Sequence, residues 1–260
     1  MPGYILDLDG TLYAGTNPIP EAAAFLNHLR EQGAPRLFVT NNSSRTPEAV
    51  ARHLREILGI PAEAEEVLTS AQAAARYQAE AAPGSRVYAI GEEGLRQALV
   101  DAGLVLCDDA DEKPDAVVQG IDRSFTYEKL FAASRAIRAG AAFIATNPDL
   151  QLPTERGLTP GSGSLTAAIR AASGQEPVWI GKPSPIIMTY AVEKLGLPAD
   201  EIWVVGDNLR TDIAGGLAAG CRTAWVLTGI ASGVDPEAEM AASGIRPERI
   251  LRHLLDWPDL

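Results

Sequence analysis

Short apolar runs that end in polar residues alternate with longer stretches of helical spacing along this chain. Tyr4-Ile5-Leu6 runs into Asp7-Leu8-Asp9-Gly10-Thr11, and Leu37-Phe38-Val39 into Thr40-Asn41-Asn42. Val178-Trp179-Ile180 likewise meets Gly181-Lys182-Pro183, and Ile202-Trp203-Val204-Val205 meets Gly206-Asp207-Asn208. Apolar positions recurring every three to four residues predict helices over 21–32, 47–58, 185–195 and 212–219, the first two stopped by Gly33 and Gly59. A further strand is predicted over 223–227. Strands and helices alternating in this way point to a parallel sheet covered on both faces.

A second alternating block lies between these segments. Ala82-Pro83-Gly84-Ser85 reads as a linker, followed by a strand over 86–90, a helix over 92–102, a strand over 116–119, a helix over 127–139 and a strand over 142–145. The block carries enough apolar residues for a core of its own. The simplest organisation is one domain inserted into a loop of another, with the host in 1–80 and 178–260 and the insertion in 81–177. Leu58-Gly59-Ile60-Pro61-Ala62 is echoed by Leu195-Gly196-Leu197-Pro198-Ala199, which reads as a reused helix stop rather than a repeat. The acidic stretch Asp108-Asp109-Ala110-Asp111-Glu112 lacks the glycine and ligand spacing of a calcium loop and is expected to be a solvated loop.

Composition narrows the function classes. With 260 residues and 46% hydrophobic positions the chain can bury a sizeable core. A formal net charge of −12 disfavours a nucleic-acid backbone or an anionic membrane as the main partner, while leaving room for a small anion held at a local positive site. No run approaches the roughly 18 apolar residues of a membrane span, and no basic segment precedes an apolar signal core, so a cytoplasmic location is expected. Cys107 and Cys221 are too few for a zinc quartet or a disulfide framework and read as small packing residues. His28, His53 and His253 fall among helix-forming residues, away from the strand ends where chemistry gathers.

Two acids at i and i+2 after a buried strand are costly unless a cation or a reaction uses them. In an open parallel sheet, ligands bind outside the carboxyl ends of the strands, so the four polar strand ends can converge on one crevice. Asp7 and Asp207 together offer the hard oxygen ligands that magnesium prefers. Magnesium beside a carboxylate points to phosphate chemistry, in which Thr40 and the amides near Asn41 would donate to phosphate oxygens and Lys182 would supply a fixed positive charge. Asp212 could start or stabilise the next helix.

These four motifs, DLDGT at Asp7, TNN at Thr40, GKP at Lys182 and GDNLRTD at Asp207, resemble those of the haloacid dehalogenase (HAD) superfamily of phosphohydrolases in order and spacing. The insertion, with Thr146-Asn147-Pro148-Asp149 and Pro160-Gly161-Ser162-Gly163-Ser164, is similar to the NagD-like, p-nitrophenylphosphatase-like branch. The resemblance implies an α/β fold: a Rossmann-like, doubly wound parallel-sheet core with an inserted α/β cap domain. It implies magnesium-dependent hydrolysis of small phosphate monoesters, of the nucleotide or sugar phosphate class, through an aspartyl-phosphate. On this basis Asp7 would be the nucleophile and Asp9 the acid and then the base. Asp7, the main-chain carbonyl of Asp9, and Asp207 would hold magnesium. Thr40, Asn41 and Lys182 would bind the phosphoryl group, with Asn208, Leu209, Arg210 and Thr211 lining the same loop, and Asp212 would orient metal-bound water or Lys182. The implied partner is a small phosphorylated metabolite, and a homodimer through the cap is the oligomer that the resemblance suggests. Asn147 to Asp149 and the Gly161 to Ser164 segment are where the leaving group is expected to meet the cap.

Other classes fit less well. A phosphoacceptor signalling domain also pairs strand-end acids with magnesium and a lysine, but lacks the DxDGT turn and a large insertion. A dinucleotide-binding dehydrogenase needs G-x-G-x-x-G after its first strand, which is missing, and a Walker-type site fails because Pro183 follows Lys182. A catalytically silent binding protein of the same fold would be expected to lack one of the motif residues, and all of them are here.

Overall fold

The structure is a computed structural model that describes residues 1–108, 112–154 and 157–258; Asp109 to Asp111 of the acidic stretch lie outside the described residues. The chain divides into two compact units, one made of Met1–Thr40, Glu48–Leu68 and Lys182–Leu260, the other of Asn41–Pro47 and Thr69–Gly181.

The first unit is built on a six-stranded sheet ordered Arg249–Leu251, Arg222–Val226, Ile202–Gly206, Gly3–Leu6, Arg36–Thr40, Val67–Thr69. Gly3–Leu6 pairs in parallel with strands on both sides, with Leu6 opposite Val205 in one and Phe38 in the other. From this central strand the chain builds outward in one direction through Arg36–Thr40, and after the insertion it returns to build in the other through Ile202–Gly206. The strand order therefore reverses beside Gly3–Leu6, where an open parallel sheet leaves a crevice outside its carboxyl ends.

All four residues of Gly3–Leu6 and all five of Ile202–Gly206 are buried, as continuous apolar runs in a doubly covered sheet require. Helix Ala22–Glu31 contributes Phe25, Leu26 and Leu29, and helix Pro47–Leu58 contributes Val50, Ala51 and Leu54, to a core that includes Leu6, Phe38 and Val205. At the edge of this core Trp257 meets Trp203 edge to face at 5.0 Å and Tyr4 at 5.5 Å, while Arg222 and Arg249 lie over the Trp203 ring at 4.0 and 4.6 Å.

The second unit has its own five-stranded sheet, ordered Val178–Trp179, Ala142–Ala145, Ala116–Gln119, Arg86–Ile90, Val105–Cys107, with every pair parallel. It also carries helices Ser70–Ala81, Glu93–Asp101, Tyr127–Arg138 and Ser162–Ser173 and an antiparallel ribbon of Gln151–Thr154 with Gly157–Pro160. No described helix is long and apolar enough to cross a membrane.

Three features differ from the sequence expectation. Val178–Trp179 does not join the strands that carry Asp7, Thr40 and Asp207; it pairs with Ala142–Ala145 at the edge of the second sheet. The helix expected over 212–219 opens as a wide turn, Leu209–Ile213, before Ala214–Ala218. The Asn208 side chain accepts the Arg210 and Thr211 amides, and its carbonyl accepts the Ile213 amide five residues on, which widens the first turn. The compact units also part from the limits expected at residues 80 and 178. Helix Ser70–Ala81, started by a capping box between Thr69 and Gln72, packs on Glu93–Asp101, so it goes with the second unit together with Asn41–Pro47.

Phe25 is fully buried, edge to face with Tyr4 and tilted against Trp257. Phe25→Ala is expected to lower unfolding stability by about 3–5 kcal/mol in urea titrations, the cost of a large core cavity; a loss below about 1 kcal/mol would show that this core does not carry the first unit.

Candidate active site

The Asp7 amide donates to Val205 O at 2.9 Å, continuing the parallel ladder one residue beyond Gly3–Leu6. Asp7 and Asp207 therefore leave adjacent strand ends nearly level with each other. After Asp7 the chain folds over on Leu8, whose carbonyl accepts the amides of Thr11 and Leu12 at 3.2 and 2.9 Å. Gly10 takes φ +94, and a Cβ there would collide with the Asp207 carboxylate. Gly229 faces the same carboxylate from the other side, and a Cβ on it would collide with Oδ2 and lie 2.5 Å from the Gly10 Cα. Only glycine fits at either position, so the DLDGT turn and the loop after Arg222–Val226 close around Asp207.

Thr11 is completely buried and ties the two acids together. Its hydroxyl lies 3.2 Å from Asp7 Oδ2 and 3.4 Å from Asp207 Oδ1, and it accepts the Asp207 amide at 3.0 Å. Asp207 Oδ2 accepts the Ile230 amide at 2.8 Å, and its carbonyl accepts Trp225 Nε1 at 2.8 Å.

Lys182 is 3% exposed, and its Nζ lies 2.5 Å from Asp7 Oδ1, 2.7 Å from Asp212 Oδ1 and 3.0 Å from Val39 O. Three acceptors surround the three protons of one ammonium. Lys182 lies on the loop between Val178–Trp179 and helix Pro185–Leu195, at the point where the chain re-enters the first unit. Asp212 is buried on the wide turn, where its Oδ2 accepts the Asn208 amide at 3.0 Å.

Carboxylate oxygens of Asp7, Asp207 and Asp212 lie within 4.8 Å of one another. Burial pushes the Asp207 carboxyl up from 3.8 to about 8, with Asp7 and then Asp212 adding to the rise. Burial also lifts Asp212 to about 6, reinforced by Asp7 and opposed by Lys182. Burial works against the charged form of Lys182, but Asp212 and Asp7 outweigh it and hold its pKa above the ordinary lysine value. Were all three acids ionised, one ammonium would leave two negative charges uncompensated in a place where charge is costly, which is why the metal-free cluster keeps protons. The deficit and the hard oxygen donors fit a divalent cation such as magnesium.

The other sequence candidates are distributed differently. Asp9 has an exposed side chain and bridges to Tyr13 along the backbone. Thr40 is buried at the end of Arg36–Thr40, beside the Gly3–Leu6 strand. Asn41 belongs to the second unit. Asn208 and Thr211 form the capped wide turn. Leu209 packs into an apolar cluster with Ile213, Trp225 and Met240, and the exposed Arg210 pairs with Glu239 at 2.9 Å, so these two side chains are not directed at the acids. Thr11 and the Gly229–Ile230 backbone took no role from the sequence. The DGT string could have singled out Thr11, but no residue type marks the Ile230 amide, which acts through its main chain.

The chain is similar to known proteins over nearly its full length. A family model of haloacid dehalogenase-like hydrolases matches residues 4–105, and a HAD-hydrolase-like model matches residues 179–257. The chain is 47% identical to the 5'-nucleotidase YutF of Bacillus subtilis over 98% of this chain and 96% of that one. It superimposes on a p-nitrophenyl phosphatase from Archaeoglobus fulgidus with a TM-score of 0.92 at 38% identity, covering 98% and 97% of the two chains. It matches the glycerol phosphate phosphatase Rv1692 of Mycobacterium tuberculosis, solved in complex with magnesium, with a TM-score of 0.88 at 42% identity over 98% of this chain and 75% of that one. With acids, lysine and glycines gathered at the strand-order reversal and relatives this similar over nearly its full length, the chain belongs to the haloacid dehalogenase-like hydrolases, in their NagD-like phosphatase branch.

Proposed function

We propose that the chain hydrolyses small phosphate monoesters, of the nucleotide or sugar phosphate class, with Asp7 as nucleophile. The observation that carries this is the buried set of Asp7, Asp207, Asp212 and Lys182 at the strand-order reversal, a carboxylate nucleophile flanked by positive charge and by the makings of a divalent site. The names of its relatives, a nucleotidase, a p-nitrophenyl phosphatase and a glycerol phosphate phosphatase, support phosphate monoesters as the substrate.

Asp7, the main-chain carbonyl of Asp9, and Asp207 would hold magnesium, which when bound supplies positive charge against the phosphoryl oxygens. In the first step an Asp7 carboxylate oxygen bonds to phosphorus, the ester P–O bond breaks, and the leaving oxygen takes the Asp9 proton. In the second, water bonds to phosphorus, the Asp7–phosphorus bond breaks, and the water's proton returns to Asp9, leaving inorganic phosphate. Lys182 orients Asp7 and offsets the charge of the incoming dianion, while Thr40 and Asn41 donate to its oxygens. Thr11 holds Asp7 and Asp207 in register. Asn208 and Thr211 shape the wide turn that presents Asp212 to Lys182. A homodimer through the inserted domain completes the proposal and is tested by sedimentation.

Phosphate release from p-nitrophenyl phosphate and a panel of metabolite monoesters is expected to require magnesium and to vanish in Asp7→Asn while circular dichroism stays native; turnover near wild type in that variant would remove Asp7 from its role. Lys182→Met is expected to lower kcat by about 100- to 1,000-fold, the loss of one charged donor, as measured at saturating substrate.

Because the folded protein holds protons on Asp207 and Asp212 up to about 8 and about 6, these carboxyls favour the metal-free fold at acid pH, and that contribution is lost as pH rises from 3.8 through about 8. Magnesium should therefore raise the thermal midpoint more at about pH 8.5 than at about pH 5.5, and its calorimetric affinity should fall as pH is lowered, by about tenfold per unit for each proton displaced. An affinity independent of pH across that range would show that the cation does not sit on these acids.

A further inference from the structure

Within the second unit, the turn after Ala142–Ala145 makes a closed set of contacts with Asn41 and Gly181. The carbonyl of Asn41 accepts two hydrogen bonds, from Asn147 Nδ2 at 2.8 Å and from Ser70 Oγ at 2.7 Å. The Asn41 side-chain amide donates to Asp149 Oδ2 at 3.2 Å. Asn147 Oδ1 accepts the Asp149 amide at 3.1 Å, so the two residues that hold Asn41 also hold each other. The Thr146 carbonyl accepts the Gly181 amide at 2.8 Å, and a Cβ on Gly181 would lie 2.6 Å from Asn41 Oδ1, so the missing side chain makes room for Asn41.

The turn is braced from behind. The Gly163 amide donates to Asp149 O and the Gly161 amide to Leu150 O, both at 2.9 Å, and a Cβ on Gly161 would collide with the carbonyl oxygen of Asp149, one on Gly163 with that of Pro148. Asn147 is 6% exposed, a poor position from which to select among leaving groups. The glycines at 161 and 163 thus serve as a seat for the turn.

We propose that Asn147 and Asp149 are positioning residues for the phosphoryl-binding segments, and that they do not choose the leaving group. They fix the main chain of Asn41, one residue after Thr40, and the Thr146 carbonyl fixes the peptide one residue before Lys182. The peptide plane that carries the Asn41 carbonyl also carries the Asn42 amide, so two donors on that carbonyl fix the direction of that amide. An amide that must meet a transferring phosphoryl group loses its effect if its peptide can turn. This inference rests on the phosphatase reading above, since it assigns a supporting shell to the donors placed there.

The test measures kcat/KM on p-nitrophenyl phosphate, a nucleoside monophosphate and glycerol phosphate, with calorimetric binding of inorganic phosphate in magnesium buffer. Inorganic phosphate has no leaving group, so a leaving-group contact cannot affect it. Asp149→Ala should lower kcat/KM by about 10- to 100-fold, by a similar factor on all three esters, and weaken phosphate binding; Asp149→Asn, which keeps an acceptor for Asn41, should restore most of both. Asn41→Ala combined with Asp149→Ala should cost little more than either change alone. If Asp149→Ala fails to fold, Asn147→Asp keeps the volume and the acceptor while removing the donor to Asn41, and the same losses are expected. Losses confined to one ester with unchanged phosphate binding, or no loss in any variant, would overturn the inference while leaving the phosphatase reading standing. A wild-type protein that releases no phosphate from any ester would overturn that reading, and the inference with it.

Discussion

Three buried carboxylates beside one ammonium form the constraint around which the first unit is arranged. Asp7 and Asp212 each lie within ion-pair distance of Lys182, and Asp207 shares the Thr11 hydroxyl with Asp7. Burial first, and then the like charges held this close, raise their proton affinity, which is why Asp207 and Asp212 sit far above the usual carboxylate range. The surroundings hold the cluster together despite that cost. Glycines at 10 and 229 let backbone close on Asp207, the Ile230 amide donates to it, and Val39 O takes the third contact of the Lys182 ammonium.

The cluster depends on the order of strands more than on any single residue. Because the chain builds away from Gly3–Leu6 in one direction and returns beside it from the other, two strands far apart in sequence end side by side. Residues 7 and 207 then need no loop to bring them together; the parallel register does it. Lys182 arrives differently, on the loop with which the chain re-enters the first unit, ahead of helix Pro185–Leu195.

The second unit shows the same economy with uncharged groups. Its turn at Thr146 to Asp149 directs the Thr146 carbonyl, the Asn147 side chain and Asp149 Oδ2 at Gly181, Asn41 and its own backbone, seated on two glycines. Small residues at 161, 163 and 181 permit approaches that any side chain would block, and the amides and carbonyls so exposed are paired.

Much of this was legible in the sequence because it is written in local patterns. The helices at Pro47–Leu58 and Pro185–Leu195, the strands at Arg86–Ile90, Ala116–Gln119 and Ala142–Ala145, and the acids after Gly3–Leu6 and at Asp207 follow from spacing, caps and strand-end polarity. Helix Ser70–Ala81 escaped because its buried face is alanine, too weak a contrast to reveal a period, and the wide turn at Leu209–Ile213 because it depends on where one asparagine side chain points. The sequence by itself determined which residues could carry phosphate chemistry and that they would sit at strand ends. Only the tertiary structure decided that Val178–Trp179 belongs to the other sheet, that Asp212 faces Lys182, and that Ile230 reaches Asp207 through its amide. Strand pairing and main-chain donors depend on which segments meet across long separations, and residue type at any one position does not encode that meeting.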